Sequence, residues 1–332
     1  MVAILAVGNE IYKATIYRQD LDVFNPTLDN FFVNEPGADV LYFGESSNFH
    51  LEKPGAKKVR ISDYIDSLLP SLQVNPVDNA GLEASNYLHI LKNLPNLTSV
   101  KAIIVTMNLR SFGYTWILDD NYNFRSRSNE FAKKRPPLLN RLLVSLKAYD
   151  HYTHKELSKA TGEHKTSDPI NWPFKLSYNT LKQWNDDCSQ RNWEGFDSYT
   201  AKEARNLASH YIKNFGFAIN AETNERIKDF DEIVAFAKER NLKVIFHLLA
   251  ENMQQAEELL GEEMIWCLNH NAELLVNRYH NGNDVWVTNN LNLLADSAFV
   301  DRHFPIEHYN NAGKKACAIQ VVKWVEEALL KF

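Results

Sequence analysis

Two stretches at opposite ends of the chain carry the residue types that nucleophilic catalysis needs. Near the start, the apolar run Ala38-Asp39-Val40-Leu41-Tyr42-Phe43 breaks at Gly44-Glu45-Ser46-Ser47-Asn48-Phe49. Short apolar runs bounded by turn formers read as buried parallel strands. Gly44 lets the chain turn sharply as it leaves the sheet. A hydroxyl is thereby set at the carboxyl end of a strand, where open α/β sheets build their sites. Near the finish, Phe299-Val300-Asp301-Arg302-His303-Phe304-Pro305-Ile306-Glu307-His308 gives way to an amphipathic helix carrying Ala316, Ile319, Val322 and Trp324. Histidine is the usual base for a serine nucleophile because it titrates near neutrality. Each stretch alone is unspecific: strand-Gly-X-Ser turns occur in α/β proteins without chemistry, and loop histidines are common surface residues. The pair is more specific than either member.

On these residues the chain resembles the SGNH/GDSL hydrolase superfamily, whose members carry four separated sequence blocks. Gly44-Glu45-Ser46 is similar to the first block, with Glu where Asp is usual, which implies Ser46 as nucleophile. Gly81, ending Val74-Asn75-Pro76-Val77-Asp78-Asn79-Ala80-Gly81, matches the oxyanion glycine of the second. Asn108, ending Lys101-Ala102-Ile103-Ile104-Val105-Thr106-Met107-Asn108, matches the oxyanion amide of the third. His308, followed by Asn310-Asn311-Ala312-Gly313, matches the histidine of the last. Three positions depart from the pattern. Thr106 and Leu109 replace a Gly and an Asp around Asn108, and Pro305 stands where the acid three residues before the histidine belongs. Asp301 is the preferred replacement and Glu307 the other nearby carboxylate.

The resemblance implies acyl transfer through a Ser46 acyl-enzyme, with His308 as base, Asp301 orienting it, and Gly81 and Asn108 holding the oxyanion. No cofactor and no metal are called for. The expected partner is an acylated small molecule or glycan. Phe43-Gly44-Glu45-Ser46-Ser47 and the large central insertion look most like bacterial cell-envelope members, esterases and O-acyltransferases, which implies an extracytoplasmic address; a cytoplasmic one stays open. Whether water or a sugar hydroxyl takes the acyl group is also open. The alternative is a noncatalytic member that uses the scaffold to bind glycan or a partner, since fold does not imply function. Ser47 and His303 are the rival nucleophile and base. Glu45 is a partner for Arg110 or for the loop after Gly81, or an exposed turn residue. Arg110 pairs with Glu45 or with an anionic substrate.

The elements that must position these groups follow from periodicity. Apolar runs at 39–44, 72–77, 101–107, 242–249 and 284–289 read as strands. Helical spacing marks 82–93, 227–240, Met253–Leu260, Ile265–Arg278 and the stretch after His308. Alternating strand and helix predicts a parallel sheet covered on both faces. The expected fold is thus three-layer α/β/α with a five-stranded parallel flavodoxin-like sheet, a single domain over 1–332. Residues 109–222 break the rhythm and read as a mostly helical insertion or lid, with helices at 136–149 and 200–213 and with Trp116, Trp172, Trp184 and Trp193. Those tryptophans suit a wall for sugar faces or the insertion's own small core.

Bulk properties narrow the field. Of the 332 residues 45% are hydrophobic, enough for a sizeable core. The net charge of −6 gives no basic footprint, so nucleic acid is not an expected partner. Cys188, Cys267 and Cys317 lack metal-type spacing; Cys317 reads as a core thiol, and a Cys188–Cys267 disulfide stays open. His50, His89, His151, His154 and His164 read as surface or structural residues. Residues 1–35 form an N-terminal extension whose apolar start, Val2-Ala3-Ile4-Leu5-Ala6-Val7, is too short to span a bilayer. It reads as a first strand or helix, or as the remnant of an anchor through which the protein associates with a membrane.

Overall fold

The computed structural model describes residues 2–24, 37–94, 97–113, 116–117, 130–131, 133, 135–148 and 178–330. Helices α1 (Val2–Thr15) and α2 (Tyr17–Phe24) precede strand β1 (Val40–Gly44), the short helix α3 (Ser46–Phe49) and α4 (Ile61–Leu68). Then come β2 (Val74–Asp78), α5 (Ala84–Asn93) and β3 (Ala102–Met107), followed by a 3-10 turn at Leu109–Phe112. Helices α6 (Pro137–Ser145), α7 (Leu181–Gln190), α8 (Ala201–Phe215) and α9 (Glu225–Glu239) lead to β4 (Lys243–Leu248). Helices α10 (Met253–Leu260) and α11 (Glu262–Tyr279), β5 (Val285–Asn289), a 3-10 turn at Asp296–Ala298 and α12 (Asn311–Leu329) complete the chain.

The strands form one all-parallel sheet in the order β2-β1-β3-β4-β5, the flavodoxin-like order. Side chains alternate between its faces, as strand geometry demands. Val40, Tyr42, Ala102, Ile104, Ile245 and Trp286 pack with Ile61 and Ile65 of α4 and Cys317, Val321 and Val325 of α12. Leu41, Phe43, Ile103, Val105, Val244 and Phe246 pack on the other side with Leu91 of α5, Phe230 of α9 and Leu268 of α11. Burial on both faces is why these strands read as unbroken apolar runs rather than alternating ones. The result is a three-layer α/β/α fold.

Several boundaries differ from expectation. The amino-terminal segment, read as a strand or a helix, is a helix; Asn9 accepts the Leu138 N–H at 3.1 Å, and Tyr12 and Arg141 both donate to Asp20, at 2.8 Å each. Helix α11 begins at Glu262 rather than 265, and α4 and α7 were not anticipated. Both are short, eight and ten residues, so each gives only about two to three turns of pattern for the sequence to show. Within the central segment Trp184 and Trp193 are buried in the core and Trp116 is half-buried, whereas Trp172 lies outside the described residues. His151, His154 and His164 lie outside them too. All three cysteines are buried free thiols, so Cys188 and Cys267 are not bridged. Among the described residues no helix is long and apolar enough to cross a membrane.

Candidate active site

The turn after β1 is held by crowding and by a buried amide. A Cβ at Gly44 would lie 2.8 Å from the Tyr42 ring and 3.1 Å from Asn48 Cβ, so no larger residue fits there undisturbed. Asn48 is fully buried; its Nδ2 donates to Asp78 at 2.6 Å and to Ser62 at 3.2 Å, and its Oδ1 accepts the Ser62 N–H at 3.0 Å. These bonds pin the turn to the end of β2 and the start of α4. Ser46, the first residue of α3, is left facing the cleft, while Ser47 is buried and its hydroxyl has no hydrogen-bond partner among the described residues. The rival nucleophile is therefore out of reach of the cleft.

The loop before α12 folds back on itself. Phe299 and Tyr309 form an antiparallel bridge, Val300 N–H donates to the His308 carbonyl at 3.0 Å, and Phe304 N–H closes a turn onto Asp301 at 3.2 Å. Tyr309 OH anchors the return strand on the Ala250 carbonyl at 2.9 Å, and the Asn310 side chain caps α12 through Gly313 N–H at 2.8 Å. His308 is delivered across the cleft from Ser46 by these contacts.

The side chains meet in a relay. Ser46 Oγ lies 2.9 Å from His308 Nε2, and His308 Nδ1 lies 2.5 Å from Asp301 Oδ2. An Nδ1–H donating to Asp301 leaves Nε2 as the acceptor for the serine proton. Burial pulls the His308 imidazole down to about 4, against the Asp301 hydrogen bond, which favours its charged form. The ring is thus neutral at pH 7. His303, the rival base, is exposed outside this relay.

Glu307 is not part of the relay. Its carboxylate is fully buried, 2.7 Å from Arg110 Nη2, in line with neither a directed N–H bond nor His308. Burial, against the Arg110 charge, pushes Glu307 up to about 7, and burial beside Glu307 raises Glu251 well above the carboxylate range. Arg110 also lies 3.7 Å from Glu45 and stacks on Trp116, its Cζ 4.6 Å from the ring centroid. Its charge is thus shared among buried carboxylates.

A cavity of about 180 Å³ opens beside Ser46, bordered by Gly81, Asn108, Tyr87, Trp116, Phe230 and Ile306. Gly81 takes a φ of +71°, which favours glycine. Asn108 Oδ1 accepts the Arg110 N–H at 3.1 Å, which turns its Nδ2 toward Glu45 Oε1 at 3.4 Å. Glu45 is buried rather than exposed, and its other oxygen accepts from Ser46 Oγ at 3.4 Å.

Sequence reasoning missed His50 as part of the site. Its Nε2 is 3.1 Å from Asp301 Oδ2, and its ring stacks on that of His308 with centroids 3.7 Å apart. Lys314 of α12, also missed, donates to the carbonyls of His50 and, at 2.9 Å, Val59. No sequence signal marks either, since both act across more than two hundred residues. Among the described residues His50, Asp301 and His308 are the one group close enough to hold a metal ion. In this arrangement both rings address the same carboxylate oxygen instead.

No protein-family model and no curated protein matches this chain.

Proposed function

We propose that the protein catalyses serine-dependent acyl transfer on an ester, as an esterase or O-acyltransferase of SGNH type acting on an acylated small molecule or a cell-envelope glycan. The observation that carries this reading is the continuous Ser46–His308–Asp301 relay at hydrogen-bond distances. In the reaction, Ser46 Oγ bonds to the ester carbonyl carbon as its proton passes to His308 Nε2. Asp301 stabilises the imidazolium that forms and holds the ring in its working tautomer. The Ser46 and Gly81 N–H groups and Asn108 Nδ2 receive the developing oxyanion. When the tetrahedral species collapses, the C–O bond to the leaving alcohol breaks and His308 returns the proton to that oxygen. Water or a second hydroxyl then takes the acyl group by the same steps reversed. The chemistry uses only groups of this chain.

A membrane-proximal setting is part of the proposal. Leu5, Val7 and Ile11 of α1 and Leu142 and Leu146 at the end of α6 are more than half exposed, which supports contact with an apolar surface there.

The test is labelling with a fluorophosphonate probe. Labelling of the wild type but not of Ser46→Ala supports acyl transfer. No labelling of either supports the noncatalytic binding protein.

A further inference from the structure

His50 sits four residues after Ser46 and donates its N–H to the Ser46 carbonyl at 2.8 Å, so one helical turn carries both side chains into the site. Its Nε2 approaches the same Asp301 oxygen that His308 Nδ1 meets, at 3.1 Å against 2.5 Å. Its ring lies nearly parallel to that of His308, with 10° between the planes. Lys314 fixes the backbone beneath it.

Asp301 has need of such a partner. Its side chain is 43% exposed, so by itself it keeps rotamer freedom and shares its oxygens with water. An imidazole nitrogen that close to a carboxylate oxygen donates a hydrogen, which leaves Nδ1 of His50 as the place for a second proton. Two face-to-face rings on one carboxylate oxygen cannot both be cations cheaply, because like charges at this distance repel.

We infer that His50 is a positioning residue for the acyl-transfer site. Through its Nε2–H it holds the exposed Asp301 carboxylate against His308 in the orientation the relay needs. This rests on the functional reading above and adds to it a second side chain that orients the relay carboxylate. The charges facing the pair are consistent with that role. Arg110 beyond β3 also disfavours a cation on His308, as does His50 itself. Lys314 of α12 holds the His50 carbonyl, and its own charge is favoured by Glu52 and Asp63 and opposed by Lys58, whose ammonium lies over the Phe49 ring.

Two variants separate the role from simple packing. His50→Phe keeps a flat ring on His308 and loses the donor. His50→Gln keeps a donor near the Nε2 position and cannot take up a proton. The readouts are the rate of Ser46 phosphonylation by a fluorophosphonate across pH and the titration of the His308 imidazole by NMR. His50→Phe is expected to label about tenfold more slowly at pH 7, in keeping with loss of one hydrogen bond to a charged group, and His50→Gln to recover most of that rate. In both variants the His308 titration, and the acid limb of labelling with it, move to higher pH, because the His50 interaction that lowers this imidazole is gone. Wild-type labelling together with an unmoved His308 titration in either folded variant overturns the inference. Absence of labelling in the wild type is a separate failure: it removes the acyl-transfer reading, and this role with it.

Discussion

Asp301 and His308 are seven residues apart in sequence and joined by a 2.5 Å hydrogen bond. The Phe299–Tyr309 bridge makes this possible, because a chain folded back on itself sets residues near its two ends opposite each other. A carboxylate three residues before the histidine is then unnecessary, and Pro305 occupies that place near the tip of the fold-back. Glu307, the sequence neighbour of His308, points instead into the buried Arg110 cluster.

This geometry separates the two carboxylates by experiment. Asp301→Asn should lower the rate of Ser46 acylation by roughly 10³-fold or more, because the amide favours the wrong imidazole tautomer. Glu307→Gln should leave the direction of the His308 bond intact and alter stability instead. Burst kinetics with a chromogenic acyl ester would compare the two. Equal losses in both variants would contradict the assignment of Asp301.

Activity should persist well into acid. His308 must be neutral to accept the serine proton, and burial holds it down to about 4. The kcat/KM of the wild type should therefore stay level from pH 7 to about 5 and fall as pH drops through about 4. An acid limb near 6.5, the ordinary histidine value, would show that the ring is not buried in solution.

Stability should pass through a maximum with pH. His308, held down to about 4, and His247, held by burial down to about 3, bind fewer protons folded than unfolded. Their contribution is full above the ordinary histidine range and is lost as pH falls toward those values. Glu307, raised to about 7, and Glu251, raised well above the carboxylate range, keep protons that the unfolded chain releases. Both contributions are full below the ordinary carboxylate range and are lost as pH rises, that of Glu307 through about 7. Urea midpoints from pH 3 to pH 9 would trace both limbs. Glu251→Gln should flatten the alkaline limb and leave the acid one in place.

Asn108→Ala should reduce turnover by about a hundredfold, the usual effect of losing one oxyanion donor, or ~3 kcal/mol. Its side chain also caps the turn after β3 by accepting the Arg110 N–H, so a loss of about 1 kcal/mol in stability should accompany it. Thermal melts beside single-turnover rates would separate the two effects.

Gly44→Ala tests the crowding under the nucleophile. A methyl group 2.8 Å from the Tyr42 ring must displace either the ring or the turn. A cost of about 1–3 kcal/mol is expected, with slower labelling of Ser46. Wild-type stability and labelling would show that the turn yields freely.

Much of this molecule was readable residue by residue. The five apolar runs mark β1 to β5 to within two residues at each end; β1, β3, β4 and β5 are buried almost throughout and need continuous apolar text, whereas the edge strand β2 buries only Val74 and Val77. Gly44 before Ser46, and His308 before a terminal helix, are local patterns of the same kind. What the sequence could not decide is which distant side chains meet. Asp301 was favoured over Glu307 without any means of excluding the latter, since nothing in the text shows where the loop reverses. His50 read as a surface or structural residue because its role depends on a ring delivered from 258 positions away, and for Glu45 a pairing with Arg110 and an exposed turn stood side by side because its burial is set by Asn108 and Arg110 in the turn after β3. Local composition sets which elements form; the partners of distant side chains are set only when those elements pack, and in this site the Ser46–His308, His50–Asp301 and Arg110–Glu307 contacts are of the second kind.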